Sequence, residues 1–325
     1  MKAWICDNPT GVDALTWKEV PTPEPGKGEV RIAIKAASLN FPDLLIVQGK
    51  YQMKPNPPFV PGAEFAGVVE AVGEGVKHLS VGTSVAGFAG LGGFGTHAVA
   101  PAAVLMPLPP AFSFEDAAAF LCTYGTTYHA LMDRAALKAG ETVLVLGAAG
   151  GVGTAAIQIA KAAGAKVIAA ASSDEKCALC KQLGADATIN YSTANLRDEL
   201  KTLTEGKGPD VVYDPVGGDL TEAAFRSIAW RGRHLIIGFA NGAIPSLPLN
   251  LTLLKGASVM GVFWGEFAKR EPQNNAACLM QLAAWYMEGK IKPVIEHKLP
   301  MSQLKEAFAL MGSRQVRGKL VLVND

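Results

Sequence analysis

Hydrophobic and polar positions follow two different rhythms along this 325-residue chain. Over roughly the first 110 residues, short alternating runs such as EVRIAIKAASLN, FAGVVEAVGEGV and THAVAPAAVLMPLPP are broken by glycine and proline. Side chains on a strand point to alternate faces, so this texture predicts a β-rich unit with tight turns. Pro109 and Pro110 close it. From there SFEDAAAFLCTYGTTYHALMDRA reads as helical, with Ser113 as N-cap. The apolar runs TVLVLG, KVIAAAS, DVVYDPVG, HLIIGFA and SVMGVFW then predict strands, and VGTAAIQIAKAAG and SDEKCALCKQLG predict helices among them. Strands alternating with helices make βαβ units and a parallel sheet. The tail predicts a helix, a strand, a helix and a final strand that could return to the first domain.

The length suggests two domains rather than one core. Composition narrows the function. Apolar residues make up 49% and charged residues 18%, as in a well-packed globular protein. The net charge of +1 offers no field for steering nucleic acid, so no nucleic-acid partner is expected. No apolar run is long enough to span a membrane, and the start lacks the pattern of a secretory signal. Five cysteines, an odd count, fit a reducing compartment, and a cytoplasmic location is expected. Cys177 and Cys180 form a CxxC inside a predicted helix with no second pair, which reads as packing.

The chemistry begins at VLVLGAAGGVGTAAIQIAKAAG, where Gly147, Gly150 and Gly153 follow an apolar strand and open a helix. The GxGxxG form is met in part, since Ala148 stands at its first glycine. Its position inside a βαβ unit makes it a dinucleotide loop, with Gly150, Gly151 and Val152 bringing backbone N–H groups to a pyrophosphate. The next strand ends on Ala171, Ser172 and Ser173. An enzyme for NAD usually has an acid there, which accepts from the ribose 2′-OH and repels a 2′-phosphate. Here Ala171 removes the repulsion, while Asp174 and Glu175 read as first-turn acids of the following helix. Ser172, Ser173, Lys176 and Tyr191 are candidate partners of a 2′-phosphate, so the expected cofactor is NADPH.

Together with these residues, SLNFPDLLIVQGKY, PPFVPGAEFAGVVEAVGEGV, YGTTYHAL, GVFWG and RGKLVLV complete a pattern covering nearly the whole chain. It resembles the medium-chain dehydrogenase/reductase superfamily, and within it the zinc-independent, zeta-crystallin-like quinone oxidoreductases. The resemblance implies an α/β protein. A GroES-like β-rich catalytic domain would take residues 1–120 and 265–325, and a Rossmann NADP-binding domain with a doubly wound parallel sheet residues 121–264. It also implies a homodimer or homotetramer. It places Asn40 and Thr126 near the nicotinamide and the backbone of Phe263 and Trp264 at the carboxamide. Gly238, Phe239 and Ala240 would flank the ribose, with Arg314 near the phosphates. Tyr51 falls at the substrate site, as a proton donor or as a wall of the pocket. The candidate catalytic residues are therefore Asn40 and Tyr51. Many relatives carry a tyrosine just after the asparagine motif, where this chain has Leu44 and Leu45.

The same superfamily contains zinc alcohol dehydrogenases. Their first ligand, a cysteine, falls at Asn40 and their histidine at Ala63, leaving Cys122 alone, so no metal is expected. Hydride transfer to an already electron-poor quinone asks mainly for binding and orientation. The expected function is an NADPH-dependent quinone oxidoreductase. The alternatives are an enoyl or 2-alkenal reductase, and a low-turnover NADPH-binding protein with a structural or RNA-binding role.

Overall fold

The computed structural model describes residues 1–324. The first stretch carries β1 (Lys2–Cys6), β2 (Leu15–Glu19), β3 (Glu29–Ser38), β4 (Glu64–Val72), β5 (Ser84–Phe88), β6 (His97–Pro101) and β7 (Leu105–Pro107). The middle carries β8 (Thr142–Leu146), β9 (Lys166–Ala171), β10 (Ala187–Asn190), β11 (Val211–Asp214), β12 (Arg233–Ile236) and β13 (Ser258–Gly261). The tail adds β14 (Ile295–Pro300) and β15 (Lys319–Val323). Two compact units result, Met1–Cys122 with Ile295–Asp325, and Thr123–Val294.

In the first unit, β3 buries alternate residues, as the period-two pattern requires. It lies inside a seven-stranded sheet ordered β14-β15-β3-β4-β5-β7, with β6 also paired to β3. The final strand does return: β15 pairs antiparallel with β3 through Val321↔Ser38, Leu322↔Ala37 and Val323↔Ala36. Ile32, Ile34, Phe65, Phe94 and Phe308 fill the core beneath.

The second unit is a six-stranded sheet ordered β10-β9-β8-β11-β12-β13, parallel at every pair. The order reverses between β8 and β11, the topological switch beside which doubly wound sheets bind ligands. β8 is nearly continuous hydrophobic sequence because helices cover both faces of a parallel sheet.

One expectation gains detail and another changes. The helical stretch after Ser113 is divided. Ser113 Oγ caps Phe114–Ala118 by accepting from Asp116 N, and a new helix, Leu121–Tyr128, follows before a π-helical turn, His129–Arg134. The second start is held by Glu64 of β4, whose Oε1 accepts from Cys122 N at 2.9 Å. An anion at a helix N-terminus is favourable, and no local pattern reveals one supplied from 58 residues away. The domain boundary also moves. Residues 265–294, assigned by sequence to the first domain, fall in the second unit. Their helix Pro272–Met287 is tied there by Trp285 against Tyr128, and the following Lys292 N donates to Gln158 Oε1.

Candidate active site

The phosphate loop joins β8 to the helix Gly151–Ala162, with Gly150 as N-cap and no side-chain cap. The first amides of a helix have no intrahelical acceptor, so those of Gly151, Val152 and Gly153 are left for an anion. The structure separates the three glycines. Gly147 has φ +57°, and a Cβ there would meet Val216 at 2.8 Å. A Cβ at Gly153 would stand 2.4 Å from the Gly147 carbonyl oxygen, so helix and strand pack too closely for any side chain. Gly150 is different. Its φ of −79° suits any residue, and its added Cβ would be 3.4 Å from the nearest atom, again Gly147 O. The fold does not demand glycine at 150. A pyrophosphate approaching the backbone would, so the loop fits a dinucleotide.

The strand-end candidates come together. Lys176 Nζ donates to Ser172 Oγ at 3.2 Å, and Ser173 caps its helix by accepting from Lys176 N. Tyr191 N donates to Ala171 O, which sets Tyr191 beside the end of β9. Ser192, which no local pattern marks, joins them: its hydroxyl donates to Ser172 O at 2.9 Å. Asp174 is engaged by Asn190 Nδ2 at 2.8 Å.

Gly238, Phe239 and Ala240 follow β12 and lie along the loop after β11, with Ala240 N donating to Pro215 O. That loop is fixed by Asp214. Its carboxylate accepts from Val216 N, Gly217 N and the Thr221 hydroxyl, and lies 3.2 Å from His234 Nε2. These bonds hold Asp214 below the ordinary carboxylate range despite its burial. The two residues are 20 positions apart, and nothing local in the sequence marks His234 as the partner of Asp214. Phe263 is the exposed N-cap of helix Trp264–Arg270, and its carbonyl already accepts from Glu266 N and Phe267 N. The first amides of this helix, which lack intrahelical acceptors, are what it can offer a carboxamide. The Trp264 side chain is buried and structural, donating to Asn275 Oδ1 at 2.9 Å. Thr126 is half-buried on Leu121–Tyr128, and its neighbour Thr127 bonds the Tyr213 hydroxyl at 2.8 Å. Arg314 belongs to the first unit, exposed in a left-handed turn after the helix Leu304–Gly312.

The first unit holds the other candidates. Asn40 is the buried N-cap of helix Phe41–Val47. Its Nδ2 donates to Glu64 Oε2 at 3.0 Å, and its Oδ1 accepts from Lys319 Nζ at 2.6 Å. Lys319 also donates to Leu39 O at 2.8 Å, and Ser38 Oγ donates to Glu64 Oε2 at 2.9 Å. Glu64, Ser38 and Lys319 were all missed as site residues. Lys319 sits in the RGKLVLV segment, and nothing local marks it as buried. Tyr51 is half-buried against the same core. Burial raises its phenol, with Cys122 and Asp43 adding to the effect, so it stays protonated and able to donate.

Zinc does not fit these residues. The Asn40 amide is committed to Lys319 and Glu64, Ala63 offers no ligand, and burial drives the Cys122 thiol far above its ordinary range. Among the described residues no group of three or more His, Cys, Asp or Glu could hold an ion.

Asp43 gives a testable pH dependence. Its carboxylate accepts from Asn40 N at 2.8 Å and Ala63 N at 3.0 Å. Burial outweighs these bonds and Lys319, and pushes its carboxyl up to about 7. A raised carboxyl binds more protons folded than unfolded, so its stability contribution is complete below pH 3.8 and lost as pH rises through about 7. The unfolding free energy from urea titrations should fall across that window, by up to about 1.4 kcal/mol per pH unit from this group. Asp43→Asn, whose amide nitrogen cannot accept from a backbone N–H, should be less stable at acid pH and lack this part of the slope. Parallel slopes for the two proteins would remove Asp43 as the cause.

Known proteins can now be set beside this geometry. Residues 26–110 match the family described as alcohol dehydrogenase GroES-like domain, and residues 151–285 the family described as zinc-binding dehydrogenase. A quinone oxidoreductase-like protein 2 homolog of Nematostella vectensis is 39% identical over 324 residues, 99% of this chain and 88% of the relative. The structure of Escherichia coli quinone oxidoreductase complexed with NADPH superposes with a TM-score of 0.93 at 30% identity, covering 100% of both chains. An NAD-dependent alcohol dehydrogenase superposes nearly as well, with a TM-score of 0.91 at 33% identity and 100% coverage of both. Fold similarity alone therefore leaves the reaction open, and the residues carry that decision. In sequence, sheet order and loop, this chain is a member of the zinc-independent quinone oxidoreductase family within the medium-chain dehydrogenase/reductase superfamily.

Proposed function

We propose that this oxidoreductase binds NADPH and uses it to reduce a quinone without a metal. The observation that carries the cofactor choice is the end of β9, where buried Ala171 stands in place of an acid and Lys176 Nζ lies 3.2 Å from Ser172 Oγ. The ammonium and the hydroxyls of Ser172 and Ser173 suit a 2′-phosphate dianion. Gly151 and Val152 would offer their amides to the pyrophosphate, and the Gly238–Ala240 loop would flank the ribose. The amides opening helix Trp264–Arg270 would donate to the carboxamide. When bound, the cofactor supplies a hydride. Asn40 and Tyr51 then have the donor chemistry to meet a carbonyl oxygen as it gains charge. The relatives named quinone oxidoreductases support the substrate class. The test is NADPH oxidation against a panel of quinones, 2-alkenals and enoyl-CoA esters. Turnover should be highest with quinones, and a preference for enals or enoyl esters would move the assignment to alkene reduction.

We also propose a cytoplasmic site of action, on the ground of five free cysteines. We further propose a homodimer. β13 is an edge strand with exposed residues, and nearby Leu253 and Leu254 are 80% and 67% exposed. An open edge beside an apolar patch is a liability in a monomer, and two-fold pairing of β13 with its copy would remove it. Leu253→Glu with Val259→Lys should shift the sedimentation coefficient from dimer to monomer. A monomeric wild-type protein would overturn this assembly.

A further inference from the structure

We infer that Lys319 is a positioning residue, whose ammonium holds the Asn40 amide so that Asn40 meets the substrate as a hydrogen-bond donor. This deepens the quinone-reductase proposal and rests on it, because a donor selects a ligand bearing a carbonyl oxygen.

Lys319 and Glu64 form a buried ion pair that makes little direct contact. Lys319 and Glu64 are 5% and 0% exposed, yet Lys319 Nζ and Glu64 Oε2 are 3.8 Å apart. The two short contacts of the cation go to oxygens of Leu39 and Asn40, at 2.8 and 2.6 Å. The carboxylate is satisfied by Ser38 Oγ, Asn40 Nδ2 and Cys122 N. Asn40 is thus the bridge between opposite charges, its oxygen on the ammonium and one amide hydrogen on the carboxylate. A cation on the oxygen and an anion on the nitrogen side allow only one orientation of the amide, with no flipped alternative. The cation also draws electron density from the amide, which strengthens its remaining N–H as a donor. An amide nitrogen carries two hydrogens, and Glu64 uses one. The second is left to a ligand.

Stability alone does not explain the arrangement, since a buried ion pair is commonly replaced by apolar residues of similar volume at no cost. Removing one partner is costly, because the other charge is then buried and unpaired. The informative variant therefore neutralises both: Lys319→Met with Glu64→Gln. The single variant Lys319→Met is expected to lower the melting temperature, and the double variant to recover most of that loss. If Lys319 orients and polarises Asn40, the double variant will bind NADPH with unchanged affinity by fluorescence. Its kcat for 1,4-benzoquinone should fall at least tenfold, and its affinity for the quinone in the presence of NADP⁺ should weaken several-fold in calorimetry. Asn40→Asp is the second probe. It keeps an N-cap residue and an acceptor for Lys319 but has no N–H to donate, and it should show the same loss. Recovery of quinone turnover and binding along with stability in the double variant would reduce Lys319 to a structural role. Full quinone turnover in Asn40→Asp would do the same should the double variant not fold. Wild-type protein that neither binds nor reduces quinones would sink the functional reading together with this one. Normal wild-type activity with unimpaired variants would sink this one alone.

Discussion

Ala171→Asp combined with Lys176→Ala is expected to reverse the proposed preference for NADPH and favour NADH. The ammonium of Lys176 and the Ser172 hydroxyl lie together at the strand end, where Ala171 stands in place of an acid. Hydrogen bonds to charged groups are worth roughly 1.5–3 kcal/mol each. That corresponds to about a 10- to 100-fold preference at about 1.4 kcal/mol per decade. The introduced carboxylate would accept from the ribose 2′-OH and repel the 2′-phosphate. Ala171 is 2% exposed, so the substitution also places a charge in a poorly solvated position and should cost stability. Lys176→Ala alone is the cleaner arm, and should lower the NADPH preference about tenfold with little effect on folding. The measurement is the ratio of kcat/KM for the two cofactors at one salt concentration, because exposed charge terms are screened. A wild-type ratio favouring NADH would mean the missing acid is misread. A double variant still favouring NADPH would transfer the selection to Tyr191 or to Ser192, which bonds Ser172 O.

Gly150→Asp should produce a folded protein that no longer binds NADPH. The fold tolerates a Cβ at this position, at φ −79° with 3.4 Å to its nearest neighbour. Aspartate is also among the best N-cap residues and is favoured by the helix dipole, so melting temperature should hold or rise slightly. The same carboxylate would occupy the amides meant for the pyrophosphate and repel it. Affinity should fall at least 100-fold, about 2.7 kcal/mol. Gly153→Ala is the contrast, since its Cβ would stand 2.4 Å from Gly147 O and should destabilise the protein itself. Fluorescence titration with NADPH beside thermal melts separates the two. Unchanged affinity in Gly150→Asp would show that this loop does not hold the phosphates.

What the sequence determined by itself is local in origin. Alternation along EVRIAIKAAS, the continuous apolar run TVLVL and the glycines between β8 and its helix are short-range patterns. Backbone geometry turns each directly into a strand, a buried strand or a phosphate loop. The absent acid at Ala171 is equally local, because the end of a strand is marked by its own residues. Only the tertiary structure could decide the rest. Lys319 and Asn40 are 279 positions apart, and Lys319 is an unremarkable lysine until β15 pairs with β3 and carries its ammonium to the Asn40 cap. Glu64 becomes a helix cap only when β4 brings it to Cys122. Gly150 and Gly153 look alike in sequence and differ only in what stands opposite their Cα atoms. The division is physical: strands, helices and turns are set by neighbours in the chain, whereas a buried charge is tolerated only by partners that the fold alone assembles.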